Sequence, residues 1–117
     1  MAQEDQVEEG VLRWRISCNA QQVARAYSKH LLERLANMAE IDSVDDDDCK
    51  LPHLQWMCQQ IVDAQDWSDT KMHRWIGYVQ GVLIARKYST VQTERDDYRR
   101  VKQETLDKLK QKDEQGI

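Results

Sequence analysis

Phenylalanine is missing from the chain, proline occurs once and glycine four times. So few Pro and Gly leave little to interrupt helices. The aromatic residues are four Trp and four Tyr, whose rings carry a polar group that wants a partner or water, a balance that favours interfaces. No apolar run approaches the roughly 18 to 20 residues that cross a bilayer, which excludes a helical membrane span. Met1 to Glu9 is acidic and polar, unlike a secretory or mitochondrial presequence. Cysteines are few and odd in number, three in all. Free thiols in a reducing compartment are therefore expected, not a disulfide framework. Phosphate-loop, dinucleotide and metalloprotease signatures are all missing.

What is present is 40% hydrophobic and 32% charged, the balance of a folded, well-solvated helical protein. A chain of 117 residues fits one helical domain over 1–117, with 1–9 and 113–117 outside its packed part and 41–51 an acidic linker. The net charge of −4 hides two ends. Residues 1–66 hold 13 acids and 6 bases, net −7, whereas residues 67–117 hold 8 acids and 11 bases, net +3. This asymmetry fits head-to-tail association or a mixed-charge partner better than nucleic-acid binding, which needs a strongly basic surface.

The strongest periodicity lies between Trp67 and Tyr88. Met72, Trp75, Ile76, Val79, Val82 and Leu83 recur at steps of three and four, one stripe of a helix around which the rest of the chain is expected to organise. Asp66 and Ser68 are placed to cap it, and Arg86 and Lys87 suit its C-terminal end. Gly77 and Gly81 inside it each cost about 1 kcal/mol relative to Ala. They predict a close helix crossing, at which Gly77→Leu costs more than about 2 kcal/mol through overpacking. Pro52 suits the first turn of a preceding helix whose face is Leu54, Met57, Cys58, Ile61 and Val62. The short connection at Asp66 makes these two helices antiparallel neighbours.

Leu12, Trp14, Ile16 and Cys18 alternate with polar residues as a strand would, while Val7, Val11, Trp14 and Cys18 step as a helix would. Helix is favoured, because nothing else in the chain supplies a partner strand. Asn19 with Gln22 has the capping-box pattern, so a bend is expected there before the face Ala20, Ala24, Tyr27, Leu31, Leu35 and Met38. Ser89 with Gln92 has it too, opening a last helix from Thr90 towards Lys112 with a sparse seam of Tyr98, Val101, Thr105 and Leu109. The fold predicted is all-α, four helices in one domain. Its two central helices are antiparallel, and the first and last, the last long and charged, pack around them.

Candidate chemistry is thin. The acidic run Asp45 to Asp48 reads as a solvated loop, since a calcium loop would need a central Gly and a Glu where His53 or Trp56 stands. Cys49, His53 and Cys58 cluster, with His73 on the next helix, but they lack the tight cysteine pair that zinc uses. Nothing around Cys18, Cys49 or Cys58 suggests an activated nucleophile. Glu94 and Asp97 form one Glu-x-x-Asp pair of the kind that holds magnesium in all-helical nucleotide pyrophosphatases. The second cluster is missing, since Glu33 and Glu40 are seven apart and suit a solvated face. A non-enzymatic protein without cofactor or metal is expected.

For binding, Trp67, Arg74, Tyr78 and Gln80 are the exposed candidates around the central helix, while Trp75 reads as core and Trp56 lies off the main stripes. Arg95, Arg99 and Lys102 recur at four and three along the last helix, where phosphates could be tracked, although Glu94, Asp96 and Asp97 interrupt the patch.

Leu51-Pro52-His53-Leu54, Trp56-Met57-Cys58, Trp67-Ser68 with Lys71, the run from Arg74 to Leu83, and Glu94-Arg95-Asp96 with Arg99 resemble a family of short proteins encoded by tailed bacteriophages and prophages. The segment Arg74-Trp75-Ile76-Gly77-Tyr78-Val79-Gln80-Gly81 carries most of it, and the resemblance covers about residues 51–100. It implies an accessory protein acting in the cytoplasm of a host bacterium by binding a host protein, such as a nuclease, a defence system or a polymerase. It brings no catalytic residue with it. The expected protein is a homodimer that binds a host protein; the alternative is a nucleic-acid-binding regulator using Arg95, Arg99 and Lys102.

Overall fold

The computed structural model describes residues 2–41 and 44–115, with side chains described for 15–41 and 44–114. The described residues form four α-helices and no strand: α1 (Ala2–Ala36), α2 (Leu51–Asp63), α3 (Asp69–Ala85) and α4 (Val91–Gln115). A single 3-10 turn, Asp47–Cys49, precedes α2. The all-α reading holds. Among the described residues no helix is long and apolar enough to cross a membrane.

α1 settles the ambiguous N-terminal stretch as helix and starts it at Ala2, earlier than the acidic lead-in suggests. It runs unbroken through Asn19, where the capping-box pattern predicts a bend. A single Asn inside a helix costs only about 0.7 kcal/mol relative to Ala, too little to end a helix whose next turns are buried. The side chains of Val7, Val11 and Trp14 lie outside the described ones. From Val23 onward α1 carries the largest share of the core: Val23, Ala24, Tyr27, Ser28, Leu31 and Leu35 are all buried. These positions form two adjoining columns and not one stripe, so α1 has room to meet more than one neighbour.

It packs against α2, α3 and α4, whereas α3 and α4 have little direct contact. The centre of the fold is therefore α1, which corrects the expectation that the 67–88 helix organises the chain. α3 buries Met72, Ile76, Val79 and Leu83 along a single stripe, enough for a place in the core but not for its axis. α2 contributes Leu51, Leu54, Met57, Cys58 and Ile61, and α4 contributes Val101 with half-buried Tyr98 against the same core. Ser28 Oγ is buried within this packing without a hydrogen-bond partner among the described residues.

Helix ends are fixed locally. Ser68 Oγ accepts from Lys71 N at 3.1 Å and caps α3. Thr90, not Ser89, caps α4, its Oγ1 accepting from Thr93 N at 3.1 Å, because the Ser89 hydroxyl is drawn instead to Glu94. At the end of α3 the chain passes through the left-handed region at Lys87, φ 63°, and Tyr88 N donates back to Leu83 O at 2.9 Å. Glu40, which the sequence assigns to a solvated face, is a clamp. Its carboxylate accepts from Leu51 N at 2.8 Å, from Arg86 Nη2 at 2.7 Å and from the Tyr88 hydroxyl at 3.1 Å. The start of α2 is thereby tied to the end of α3. Asp45, Asp46, Asp47 and Asp48 remain exposed, as a solvated run should.

The molecule is elongated, 62 × 25 × 24 Å, with a radius of gyration of 17.0 Å, against about 13 Å for a compact globule of this length.

Gly77 and Gly81 do not mark a tight crossing. Both are exposed, and a Cβ built at either meets nothing within 4 Å. With no steric reason at these sites, the helix propensity difference decides. Gly77→Ala and Gly81→Ala should each raise stability by about 0.5 to 1 kcal/mol in thermal or denaturant unfolding, the opposite of the overpacking expected at a close contact.

Candidate interaction surfaces

α1 and α4 are joined by charge at their inner face. Glu94 is 3% exposed and sits opposite Arg34, whose Nη2 donates to Oε2 at 2.7 Å and Nη1 to Oε1 at 3.1 Å. The Tyr27 hydroxyl donates to the same Oε1 at 3.3 Å, and the Ser89 hydroxyl to Oε2. A carboxylate has about four acceptor positions, and all four are taken. One turn on, Asp97 Oδ2 lies 3.1 Å from Arg34 Nη1 and 2.7 Å from His30 Nε2, and Oδ1 accepts from Arg100 Nη2 at 2.8 Å. The Glu-x-x-Asp pair is thus occupied by the protein's own cations. Among the described residues no group of three or more His, Cys, Asp or Glu side chains is arranged to hold a metal ion.

Burial raises the Asp97 pKa, but hydrogen bonds from Arg100 and His30 and the nearby charges of His30 and Arg34 outweigh it and hold the carboxyl below its ordinary range. Burial and the Glu94 carboxylate push the Tyr27 hydroxyl well up, which keeps it a donor to Glu94 while it accepts from Gln80 Nε2 at 3.1 Å. Tyr27 also meets Tyr98 edge-on at 5.1 Å between ring centroids, and Tyr98 shares its hydroxyl with His73 Nε2 at 2.9 Å.

The second surface is aromatic and crosses α2 and α3. His53 stacks on Trp56 at 5.6 Å, Trp56 approaches Trp75 at 6.0 Å, and Trp75 meets Trp67 edge-on at 4.5 Å. Lys71 Nζ closes the line, 4.0 Å from the Trp67 ring centroid, within cation–π range. Trp56 is 52% exposed and Tyr78, farther along α3, is 41% exposed. The Tyr78 hydroxyl donates to Asp48 O at 3.1 Å, and at the other end of the line Gln21 on α1 donates to Trp67 O at 3.1 Å.

The four residues singled out for protein binding are not one patch. Arg74 and Tyr78 share an exposed line of α3 with Gly77 and Gly81. Trp67 is half-buried in the connection before α3, edge-on to Trp75. Gln80 points the other way, committed to Tyr27, because two residues beyond Tyr78 a helix has turned by about 200°. Trp75 is half-buried, at the border between core and aromatic line. Trp56 is the residue whose importance the periodicity understates, since its role depends on which α3 side chain stands opposite.

Arg95, Arg99 and Lys102 do come together, along an open cleft of about 380 Å³ between α3 and α4 whose other walls include Gln80, Ile84 and Tyr98. Glu94 and Asp97 interrupt this patch less than their sequence positions suggest, being turned onto Arg34 and His30. Of the three thiols, Cys58 is buried and its pKa is pushed up to about 12 by burial alone, which makes it inert near neutral pH. His53 Nδ1 faces Asp48 at 3.8 Å rather than either neighbouring cysteine.

Two outcomes follow from the charged seam. Arg34→Met leaves Glu94 buried without its cation and should cost about 3 to 5 kcal/mol in denaturant unfolding, with much of the loss recovered in Arg34→Met/Glu94→Leu. Because the folded Asp97 pKa is depressed, its contribution is complete above the ordinary carboxylate pKa and drains as pH falls below about 4. Asp97→Asn should flatten that acid limb in a pH series of melting temperatures. Against known proteins, no family model, curated protein or solved structure matches the chain.

Proposed function

We propose that the protein is a non-enzymatic binding module that engages a bacterial host protein through the aromatic face of α2 and α3. The observation that carries this reading is the unbroken line His53, Trp56, Trp75 and Trp67, with Trp56 more than half exposed on α2. Tryptophan is the residue most enriched among interface hot spots, and rigid aromatic anchors lose little conformational entropy on binding. Arg74 and Tyr78 extend the face along α3. Gly77 and Gly81 beside them keep the α3 backbone uncovered, so a partner can approach it closely. That offers a reason for two glycines that the isolated fold would be more stable without. The resemblance of residues 51–100 to small phage and prophage proteins supports a host protein as the partner, and it covers the segment that builds this face.

Arg95, Arg99 and Lys102, lining one cleft, favour a second reading, nucleic-acid binding. It ranks lower because the exposed Asp96 stands in the same run of α4, between Arg95 and Arg99.

The test is a tagged pull-down from nuclease-treated bacterial lysate with matched variants. The wild type should retain one host protein in near-equal amount. Trp56→Ala should lose at least tenfold of it with little change in melting temperature, and Gly77→Leu should weaken binding without unfolding the protein. Arg95→Glu/Arg99→Glu/Lys102→Glu should leave it bound. Retention by Trp56→Ala, or loss of the partner on nuclease treatment, would overturn the assignment.

A further inference from the structure

Between the middle of α1, the end of α2 and the second half of α4 runs an open groove of about 290 Å³. Arg25 and Lys29 border it from α1 and Lys108 and Lys112 from α4, while Val62 and Leu109 give it an apolar floor. No carboxylate lines it. In a chain of net charge −4 that is the reverse of the average surface. Among the acids nearby in sequence, Asp63 accepts from Gln59 at 3.0 Å, Glu104 from Arg100 at 3.2 Å and Asp107 from Gln103 at 2.9 Å, while Glu33, Asp113 and Glu114 are exposed but do not line the groove. Arg25 is held in place, its Nη2 donating at 2.9 Å to Ala64 O at the C-terminal cap of α2. Lys29, Lys108 and Lys112 make no ion pair among the described residues.

Four cations gathered without a counter-charge repel one another, and apart from the Arg25 bond to Ala64 O no hydrogen bond or ion pair among the described residues explains their grouping. Each pair is one helical turn apart, about 6 Å along the axis, and the four cations together exceed the roughly two negative charges that one phosphate group carries. We propose that this groove binds a phosphate-bearing ligand with at least two successive phosphate groups, either a free polyphosphate chain or consecutive phosphodiesters of a nucleic-acid strand. Lysine ammonium groups bind phosphate as point charges, and the tethered guanidinium adds directed N–H donors. The groove shares no residue with the aromatic line of α2 and α3 or with Arg95, Arg99 and Lys102.

Sodium tripolyphosphate is titrated into the full-length protein by calorimetry, and a fluorescein-labelled single-stranded oligonucleotide is titrated by anisotropy, both at low and moderate salt. Saturable binding of at least one probe is expected. Lys108→Gln/Lys112→Gln should weaken it at least tenfold and, for the oligonucleotide, reduce the slope of log affinity against log salt by about two. Lys87→Gln/Lys110→Gln, a matched charge loss at exposed positions outside the groove, should retain binding within about threefold. These lysines are exposed, and an unchanged far-ultraviolet melt certifies the fold of each variant; Lys29→Gln stands in if the double variant is unstable. Tripolyphosphate binding identifies a free phosphate chain as a sufficient ligand, and oligonucleotide binding alone identifies the strand. Absence of binding to both, or equal losses in the two double variants, overturns the proposal.

Discussion

A single guanidinium shared by two carboxylates holds the fold together in its present register. Arg34 meets Glu94 and Asp97 on successive turns of α4, so α4 can neither slide nor rotate on α1 without stranding a charge. An apolar seam as sparse as that of α4 would not specify the alignment alone, because Val101 is its one buried hydrophobic residue. Buried ion pairs often add little net stability but penalise every alternative that separates them. Here the penalty falls on misregistered α4, and the correct register sets Tyr98 against Tyr27 and His73 and opens the cleft between α3 and α4.

Much of this architecture was legible from residue spacing. The apolar faces of α2 and α3 have the period of a helix, and the pattern selects the buried Leu54, Met57, Cys58, Ile61, Met72, Ile76, Val79 and Leu83, while it misses buried Leu51 and adds the half-buried Val62, Trp75 and Val82. Pro52 and Ser68 mark helix starts for the physical reasons that make them good starters. The hierarchy was not legible. α1 is weakly amphipathic over its full length, and the face it buries from Val23 onward includes Ser28, a residue any hydropathy reading places outside. Periodicity identifies a helix's buried side but not how many neighbours it touches.

The surfaces were harder still, because they depend on which side chains face each other across helices. Glu94 and Asp97 look like solvent-facing acids until Arg34, sixty positions earlier, is placed against them. Lys108 and Lys112 look like ordinary solubilising charge until Arg25 and Lys29 stand beside them. Dividing the chain into an acidic front and a basic back misses this, since the charge is sorted by face and not by end. Gly77 and Gly81 show the same limit in reverse. A helix-weakening residue signals that some demand exists, and sequence does not say whether the demand comes from inside the fold or from outside it.

The long axis of 62 Å, set against 25 and 24 Å across, has a hydrodynamic consequence. A rod of that shape drags more solvent and tumbles more slowly about its short axes than a sphere of 13.8 kDa. A single copy will therefore leave a sizing column early, in the range of a larger globular protein. Elution volume reports the length of α1 and α4 as much as mass. The number of chains in solution is read from scattered light or sedimentation equilibrium, where shape drops out.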